Sequence, residues 1–557
     1  MKKIALGESD FKSIIDNKEY FVDKTMLIKE FLEDSSRIIL IPRPRRFGKT
    51  LNLSMIRYFV EKCDENRRYL FNNLLIEKEE EIMKRQGIYP TIYLTFKDEK
   101  HSSFDSLIER IKWFVTAIYN QHKEVYSILE DKQDKDFFNK IINSNYSISE
   151  LELSLKNLCK YLYDYHGEKV IILIDEYDTP IQHSYFSGIY DETIGFMRNF
   201  LSNTLKDNVY LEKAMLTGIL RVARESIFSG LNNLEVYSIL KEGYSKQFGF
   251  TDSEIEKVLN DFNVVEQREE FKKWYNGYIF GNTVIYNPWS VLSYLKDKDD
   301  YFKPHWVNTS ENKIIKTILA KGSEGLKKSF EELLRGNIIE TTIDENIVMA
   351  DIELNEDNIW SFLLMAGYLK VVGKRREGKE FYYSLKVPNL EVELMYEKII
   401  RDWQSESYIA SEYNEMLKAL VNFDYEVFEE IFIDYVEKSL SYLDVSGEEP
   451  EKVYHSFVLG MLVSLNRTHY VLSNRESGYG RYDVMVIPKD INKPGIIIEF
   501  KRARKTNKKS IEELINEAKK QIEDKKYETE LLERGITNIK KLVIVFKGKE
   551  VFVNDVS

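Results

Sequence analysis

The feature that most constrains the fold is a short apolar run followed by a basic loop that ends in Gly-Lys-Thr. The run Ile38–Ile41 precedes the loop Arg43–Thr50, and a helical pattern follows directly. A strand, a loop and a helix in this order bring backbone N–H groups and a helix N-terminus together, and this arrangement binds phosphate. We therefore expect Lys49 to reach the terminal phosphates of a nucleotide and Thr50 to hold Mg²⁺.

The loop departs from the usual pattern at its first position, where Arg43 stands in place of glycine. Glycine there relieves backbone strain, so the arginine predicts an unusual loop shape or a modest affinity for nucleotide. The loop and the two strands described next supply the residues expected to contact the nucleotide, which are Arg46, Gly48, Lys49, Thr50, Asp175, Thr217 and Arg221.

A second apolar run, Val170–Ile174, ends in Asp175 and Glu176 and is typical of a buried parallel strand. Asp175 is expected to hold Mg²⁺ through water, and Glu176 to polarise the attacking water. A third strand, Ala214–Gly218, offers Thr217 as a polar sensor of the terminal phosphate. Two further candidates for stabilising charge follow it, Arg221 and Arg224. Either run alone also fits a core strand ending in a cap-forming Asp, but their combination favours a nucleotide site.

A different acidic pattern lies near the end of the sequence. Asp483 is followed sixteen residues later by Glu499-Phe500-Lys501, which closes the apolar run Gly495–Ile498. Because side chains alternate along a strand, Glu499 and Lys501 share one face while Phe500 turns to the other. Two carboxylates can hold Mg²⁺ or Mn²⁺, which polarises a phosphate and lowers the pKa of a bound water, and Lys501 would orient or activate that water. The alternative is a solvated strand end whose Glu and Lys merely pair.

This acidic pattern resembles the PD-(D/E)XK nuclease superfamily, although Tyr482 precedes Asp483 where many members have proline. The resemblance implies an α-β-β-β-α-β core and gives Gln521 an auxiliary polar role. It also implies that the catalytic residues are Asp483, Glu499, Lys501 and Gln521, of which the first two bind the metal. The expected elements are a helix at 451–465, strands at 469–473, 482–487 and 496–500, a helix at 510–527 and a strand at 541–546.

Over its whole length the chain resembles bacterial AAA-ATPase-like proteins with a C-terminal PD-(D/E)XK domain. The phrases that carry the resemblance are Tyr20–Thr25, Arg43–Thr50, Ile174–Pro180, Phe228–Asn233, Trp274–Tyr278, Tyr286–Ser290 and Gly480–Lys501. In that family the Arg-Pro-Arg-Arg-x-Gly-Lys loop is usual. The resemblance implies ATP and Mg²⁺ as cofactors, with Mn²⁺ as a substitute, and an ATPase role for Glu176.

The expected fold class is a multidomain α/β protein. A P-loop NTPase domain with a parallel sheet is predicted at 1–240 and a helical lid at 241–310. A helical or winged-helix-like connector is predicted at 311–445, and a restriction-endonuclease-like α/β domain at 446–557. With 557 residues, the chain is long enough for three or four domains.

Composition bears on the cellular location of the protein and on the role of its cysteines. No segment approaches the roughly 20 apolar residues of a membrane helix, and the first residues lack the apolar core of a signal peptide. We therefore expect a cytoplasmic protein. Cys63 and Cys159 have no paired spacing, which argues against a disulfide framework or a Cys-type zinc site. His455 is either a core histidine or a neighbour of the C-terminal acidic site.

The net charge of −12 does not by itself indicate a nucleic-acid binder. A local basic run can still neutralise phosphates, and one directly follows the C-terminal acidic motif: Lys501, Arg502, Arg504, Lys505, Lys508 and Lys509. The alternative is a solvated loop that enters a helix. The expected partners are ATP and nucleic acid, either DNA or RNA, without a membrane; homo-oligomerisation is left open.

The function predicted from these patterns is that of an ATP-regulated, Mg²⁺-dependent endonuclease that is also an ATPase. Its place in defence or mobile-element biology is left open by the sequence. The alternative is an ATP-dependent signalling or scaffold switch whose nuclease-like domain binds nucleic acid without cutting it. Retention of Asp483, Glu499 and Lys501 favours the enzyme, because binding alone has no chemical need for all three residues.

Overall fold

The computed structural model of the chain describes most of the sequence. The described residues are 3–97, 99, 101–220, 234–297, 302–306, 324–334, 336–347, 356–396, 410–440, 458, 462, 465, 468–473, 476–477, 480–503, 509–547 and 550–557. Among them, no helix combines the length and the apolar character that a membrane crossing requires.

The chain divides into two compact units. The first comprises Met1–Ser310 with Glu332–Glu393, and the second comprises Glu311–Glu331 with Leu394–Ser557. The four-part division expected from the sequence, with boundaries near 240, 310 and 445, stays a prediction.

A five-stranded parallel sheet organises the first unit, as predicted. Its strands are β1 (Ile38–Pro42), β2 (Thr91–Thr95), β3 (Val170–Asp175), β4 (Leu211–Gly218) and β5 (Leu234–Val236), in the order β2-β3-β4-β1-β5. Strands β1 and β3 are buried throughout because helices cover a parallel sheet on both faces. Since β4 lies between β1 and β3, the carboxyl ends of all three meet at one edge of the sheet.

The helices of this α/β layer are α1 (Phe11–Asp16), α2 (Met26–Glu33), α3 (Lys49–Val60), α4 (Glu80–Met83), α5 (Phe104–Gln121), α6 (Lys132–Ile142), α7 (Ile148–His166), α8 (Thr179–Ser187) and α9 (Tyr190–Leu205). Short 3₁₀ turns cover Arg68–Phe71, Leu75–Lys78 and Lys123–Ile128. Helix α7 shows how local sequence sets its limits, because Ser147 and Glu150 form a capping box and Gly167 ends it in the left-handed conformation.

A small α+β layer follows in the same unit. Strands β6 (Phe250–Thr251), β7 (Tyr278–Phe280) and β8 (Thr283–Tyr286) form an antiparallel sheet in the order β6-β8-β7. Its helices are α10 (Asp252–Phe262), α11 (Arg268–Tyr275) and α12 (Pro288–Asp297), with a 3₁₀ turn at Val265–Gln267. The sequence Thr-Asp-Ser-Glu at 251–254 predicts a capping box, and Thr251 and Glu254 do cap α10 reciprocally.

A second antiparallel sheet comes next, after α13 (Glu324–Leu334). It contains β9 (Ile339–Thr342), β10 (Lys370–Glu377) and β11 (Glu380–Lys386) in the order β10-β11-β9, with α14 (Glu356–Met365) between β9 and β10. The sequence of residues 359–368 is typical of a buried helix and that of residues 381–387 of a strand, and these stretches correspond to α14 and β11.

The second unit is built around a mixed sheet of five strands. They are β12 (His469–Ser473), β15 (Val484–Pro488), β16 (Gly495–Arg502), β17 (Ile539–Lys547) and β18 (Glu550–Asp555), in that order across the sheet. Only the β16–β17 pair is parallel among the pairs of this sheet that the structure describes. The short strands β13 (Glu476–Ser477) and β14 (Gly480–Arg481) pair separately.

Helices cover both faces of the mixed sheet. Side chains of α15 (Ala410–Asn422) and α16 (Tyr425–Leu440) pack with Ile498 and Phe500 on one face. Side chains of α17 (Ile511–Lys525) and α18 (Thr529–Glu533) pack with Ile497 on the other. The alternation of β16 therefore turns Glu499 and Lys501 toward the face that carries α17.

Candidate functional sites

The loop between β1 and α3 turns sharply at two residues. Gly48 precedes α3 in the left-handed region, with a φ of 81°. Arg46 also has a positive φ, of 64°, which is uncommon for a residue with a side chain. The loop thereby delivers the chain to the N-terminus of α3, whose free N–H groups carry partial positive charge.

Lys49 is held inside this loop. Its Nζ donates hydrogen bonds to the carbonyl oxygens of Arg43 at 3.0 Å and Pro44 at 3.1 Å. Burial lowers the pKa of Lys49, and the negative charges of Glu176 and Asp175 act in the opposite direction. The ammonium is therefore placed where a phosphate group bound by the loop would meet it.

Arg43, the residue in place of glycine, is fully buried and holds the loop in place through its side-chain contacts. Its Nη1 donates to the carbonyl oxygens of Pro42 at 2.8 Å and Tyr237 at 2.6 Å. The guanidinium carbon lies 5.0 Å from the ring centroid of Phe280 and 5.5 Å from that of Phe248. Burial lowers the pKa of Arg43 to about 9, so it remains a cation at neutral pH. The loop is thus tied to strand ends and to two aromatic rings.

Arg46 and its neighbour Phe47 join the loop to the small α+β layer. The Arg46 guanidinium carbon lies 3.5 Å from the ring centroid of Trp289. Phe47 is buried and makes an edge contact with Tyr278 at 4.9 Å between ring centroids. Burial and the charge of Arg45 lower the pKa of Arg46. The structure therefore places Arg46 against an aromatic ring; its contact with nucleotide stays a prediction.

Asp175 lies at the centre of the acidic edge. Its Oδ2 accepts a hydrogen bond from Thr50 Oγ1 at 2.8 Å, and its Oδ1 accepts one from Thr217 Oγ1 at 2.7 Å. Thr95 Oγ1 lies 3.4 Å from Oδ2. Burial, reinforced by the neighbouring charge of Glu176, raises the pKa of Asp175. The structure thus joins the two residues predicted to hold Mg²⁺, Thr50 and Asp175, in one cluster of oxygen donors, the ligand type that Mg²⁺ prefers.

The other predicted nucleotide residues have different placements. Glu176 has a positive φ of 52°, and its Oε2 accepts from Thr179 Oγ1 at 3.3 Å. Thr217 is buried at the end of β4, and its hydroxyl is directed to Asp175. Arg221 and Arg224 lie outside the described residues. The sensor role of Thr217 stays a prediction.

Asp178 is a residue of this edge to which sequence reasoning gave no role. Its Oδ2 accepts the backbone N–H groups of Ile219 and Leu220, both at 2.9 Å, and Gln182 Nε2 at 2.7 Å. A side chain at Gly218 would meet Asp178 at 2.5 Å, so glycine is required there. Asp178 directly precedes α8, but its side chain makes no capping bond to that helix. It anchors the chain that leaves β4 instead.

Strand pairing relates Asp483 to the strand that carries Glu499 and Lys501. Strands β15 and β16 are antiparallel, with Val484 opposite Ile498. Asp483 directly precedes β15, and its Oδ2 accepts the backbone N–H of Phe500 at 2.8 Å. This bond places the Asp483 carboxylate beside the strand segment that carries Glu499.

Lys501 links the strand to α17. Its Nζ donates to Glu499 Oε1 at 3.0 Å and to Gln521 Oε1 at 2.8 Å. Glu499 is only 1% exposed, which does not fit the alternative of a solvated strand end. The structure therefore brings together Glu499, Lys501 and Gln521 beside Asp483; their catalytic roles stay predictions.

Tyr527 extends this hydrogen-bond chain and was not found from the sequence. Gln521 Nε2 donates to the Tyr527 hydroxyl at 3.0 Å. Burial raises the pKa of Tyr527, and the charges of Glu499 and Asp483 add to the effect. No pattern signals such a residue, because it follows α17 in a turn where Lys526 has a φ of 51°.

Within the described residues, no group of three or more His, Cys, Asp and Glu side chains gathers as a metal site. The Asp483 and Glu499 carboxylates nevertheless fit a divalent ion that takes its other ligands from water and substrate, because Mg²⁺ is commonly held by one or two carboxylates. The strong burial of Glu499 supports this fit, since a buried carboxylate requires nearby positive charge.

The basic run after β16 is described only in part. Lys501 belongs to the acidic cluster, Arg502 is half-buried, and Lys509 pairs with Glu517. The remaining members, Arg504, Lys505 and Lys508, lie outside the described residues, as does His455. Phosphate binding by this run stays a prediction.

Comparisons with known proteins match the two parts of the chain that hold these residues. Residues 5–228 match the family described as predicted AAA-ATPase, and residues 449–556 match the PD-(D/E)XK nuclease superfamily. The chain therefore combines an AAA-ATPase-like domain with a PD-(D/E)XK superfamily domain, which confirms the predicted architecture. It is also similar to a protein of Azotobacter chroococcum mcd 1 described as "Uncharacterized protein in vnfD 5'region". The two are 25% identical over 393 residues, which cover 70% of this chain and 68% of that protein.

Proposed function

We propose that this chain is a Mg²⁺-dependent nuclease that hydrolyses phosphodiester bonds in nucleic acid under the control of ATP. The observation that carries the proposal is the buried Glu499 carboxylate, 3.0 Å from Lys501 Nζ and beside Asp483. A buried carboxylate is costly unless cations compensate for it. Lys501 supplies one cation, and a divalent ion on the two carboxylates would supply the other.

The chemistry assigns a role to each side chain. Asp483 and Glu499 would hold the metal, which when bound polarises the scissile phosphate and lowers the pKa of a water ligand. Lys501 would orient the attacking water and stabilise negative charge at the phosphate. Gln521 would hold the Lys501 ammonium, because its Oε1 accepts from Nζ at 2.8 Å.

The nucleotide site would serve as the control element. Lys49 would contact the terminal phosphates, Thr50 and Asp175 would hold Mg²⁺, and Glu176 would polarise the attacking water. The contact between Thr50 and Asp175 at 2.8 Å supports the metal assignment. ATP binding or hydrolysis would then regulate access of the nuclease to nucleic acid, since both domains belong to one chain.

The test is cleavage by the purified full-length chain of plasmid, linear duplex, single-stranded DNA and RNA, with and without ATP and Mg²⁺. Asp483→Asn and Lys501→Ala should each abolish cleavage with little loss of stability. Matched controls are Glu512→Gln and Lys519→Ala, which change exposed side chains on α17. Mn²⁺ should replace Mg²⁺, whereas Ca²⁺ should support binding without turnover because its looser coordination positions water poorly.

Cleavage that persists in chelator, or in both site variants, would contradict the proposal. If the protein binds nucleic acid but cuts none of these substrates under any condition, the alternative of an ATP-dependent scaffold or signalling switch would replace it. The choice between DNA and RNA follows from the same substrate series.

A further inference from the structure

The hairpin β10–β11, here called the basic hairpin, is an exposed cationic feature in a chain of net charge −12. Its two strands pair from Lys370 opposite Lys386 to Glu377 opposite Glu380, and Gly378 forms the turn with a φ of 60°. Basic side chains outnumber acidic ones by six to two. The basic ones are Lys370, Lys374, Arg375, Arg376, Lys379 and Lys386, and the acidic ones are Glu377 and Glu380.

The two faces of the basic hairpin differ in how their charges are satisfied. Residues directly opposite in an antiparallel pair share a face, and on one face Lys374 lies opposite Tyr383 and Arg376 opposite Phe381. Lys374 Nζ lies 4.2 Å from the Phe381 ring centroid, and the Arg376 guanidinium carbon lies 5.8 Å from it. In the described part of the chain, neither cation has a carboxylate within ion-pairing distance.

On the opposite face the charge is neutralised. Arg375 pairs with Glu340 at 3.0 Å and with Glu377 at 2.5 Å, and it lies over the Tyr382 ring at 4.7 Å. Arg375 therefore resembles Arg376 in side chain and exposure but already has two anionic partners. The hairpin thus contains its own matched control.

Unpaired cations beside an exposed aromatic ring fit one class of ligand especially well. Phosphates neutralise the cations, and an aromatic ring such as Phe381, 45% exposed, can contact a sugar or an unstacked base. We propose that the basic hairpin binds the sugar-phosphate backbone of nucleic acid through Lys374 and Arg376. The proposal rests on the proposed function for its ligand class, but it requires no cleavage chemistry.

The base of the basic hairpin lies against the phosphate-binding loop in the same unit. Gly367 approaches Pro44 so closely that an added Cβ would lie 2.8 Å from the Pro44 Cβ. Trp306 Nε1 donates to the carbonyl oxygen of Arg45 at 3.1 Å, and its ring lies 5.0 Å from that of Tyr368. The hairpin that carries the proposed nucleic-acid surface is therefore anchored beside the phosphate-binding loop.

The experiment measures binding of the full chain to a short fluorescein-labelled duplex and to its single strand by anisotropy, in EDTA, between about 50 and 200 mM KCl. The double variant Lys374→Ala/Arg376→Ala should reduce the slope of log K against log[KCl] by about two units. Its affinity should fall roughly tenfold to a hundredfold at about 0.1 M KCl, because two phosphate contacts are lost. Arg375→Ala should change the slope by less than half of that amount, since Arg375 is already paired.

A double variant that folds normally by circular dichroism and keeps the wild-type slope on both ligands would overturn the proposal. A parallel experiment measures binding of the same proteins to vesicles of phosphatidylserine and phosphatidylcholine. If the double variant loses vesicle binding while its nucleic-acid slope is unchanged, the hairpin is a membrane surface and the proposal is wrong. A wild-type protein that shows the expected slopes but cuts nothing would refute the nuclease activity and support the hairpin assignment.

Discussion

The hydrogen-bond chain that ends at Tyr527 tests how Lys501 is positioned. Replacing Tyr527 by Phe removes one hydroxyl and keeps the buried ring. Gln521 Nε2, 3.0 Å from that hydroxyl, then loses its acceptor and holds its amide less firmly against Lys501. Gln521 is half-buried, so water replaces part of the lost bond, and the expected cost is about 0.5–1.5 kcal/mol.

If this cost falls on the transition state, the cleavage rate falls about two- to tenfold, because about 1.4 kcal/mol corresponds to a factor of ten. The assay is single-turnover cleavage at saturating Mg²⁺, with substrate affinity measured separately in Ca²⁺. We expect a lower rate at unchanged affinity, because the substitution acts on the position of Lys501. Tyr527 would then be a positioning residue that acts through Gln521.

Tyr482→Phe is the matched control. The Tyr482 hydroxyl donates to Glu530 Oε2 at 3.1 Å, and its ring lies 6.3 Å from that of Tyr527. Both variants therefore remove a hydrogen bond of a buried tyrosine, but only Tyr527 is linked to Lys501 in the described network. Equal cleavage rates in the two variants would refute the argument. So would a further rate loss on adding Tyr527→Phe to Gln521→Leu, since that background has no amide left to position.

Four further outcomes follow from the first unit. Lys49→Ala should abolish binding of a fluorescent ATP analogue, whereas Glu176→Gln should bind ATP but release phosphate far more slowly; equal affinity of wild type and the Lys49 variant would contradict the site. Asp178→Ala should destabilise the fold by about 2–5 kcal/mol in chemical denaturation, because two buried amides lose their acceptor, whereas Asp178→Asn should cost about 1 kcal/mol. Trp306→Phe removes the hydrogen bond from Trp306 Nε1 to the carbonyl oxygen of Arg45 in the phosphate-binding loop, and it should weaken the effect of ATP on duplex binding. An unchanged effect of ATP would show that this hydrogen bond does not couple the nucleotide site to the basic hairpin. Burial raises the pKa of Glu391 from 4.5 to about 7, so the folded state keeps a proton that the unfolded chain releases. Stability should therefore fall as pH rises between these two values, and Glu391→Gln should flatten that slope in denaturation curves.

Much of the sheet architecture could be predicted because it depends on local runs. The strand expected at 496–500 is β16 (Gly495–Arg502), and the helix expected at 510–527 is α17 (Ile511–Lys525). Period-two alternation also fixed that Glu499 and Lys501 share a face. Residues whose roles depend on distant partners were missed, because no spacing signals a hydrogen bond from the backbone N–H of Ile219 to Asp178 or from Gln521 to Tyr527.

The basic hairpin shows a second reason why a strand can be missed in the sequence. The sequence indicated β11, whose apolar and aromatic residues alternate, but not its partner β10. Strand β10 carries an irregularity between Val371 and Gly373, and its outer half is uniformly exposed and charged. A solvent-exposed strand end has no buried face, so its sequence shows no alternation of apolar and polar residues. Strand β10 can therefore be recognised only from its pairing with β11 in the structure.

The phosphate-binding loop shows how an unfavourable substitution can be accommodated. Arginine at the first loop position was expected to strain the backbone, yet the positive φ angles occur at Arg46 and Gly48, and Arg43 is not among the positive-φ residues. Arg43 instead contributes two hydrogen bonds to carbonyl oxygens and contacts with two rings. The conformational cost therefore lies at Arg46, where stacking on Trp289 at 3.5 Å offsets it. Loop shape in this chain depends on buried cation contacts rather than on the freedom of a first glycine.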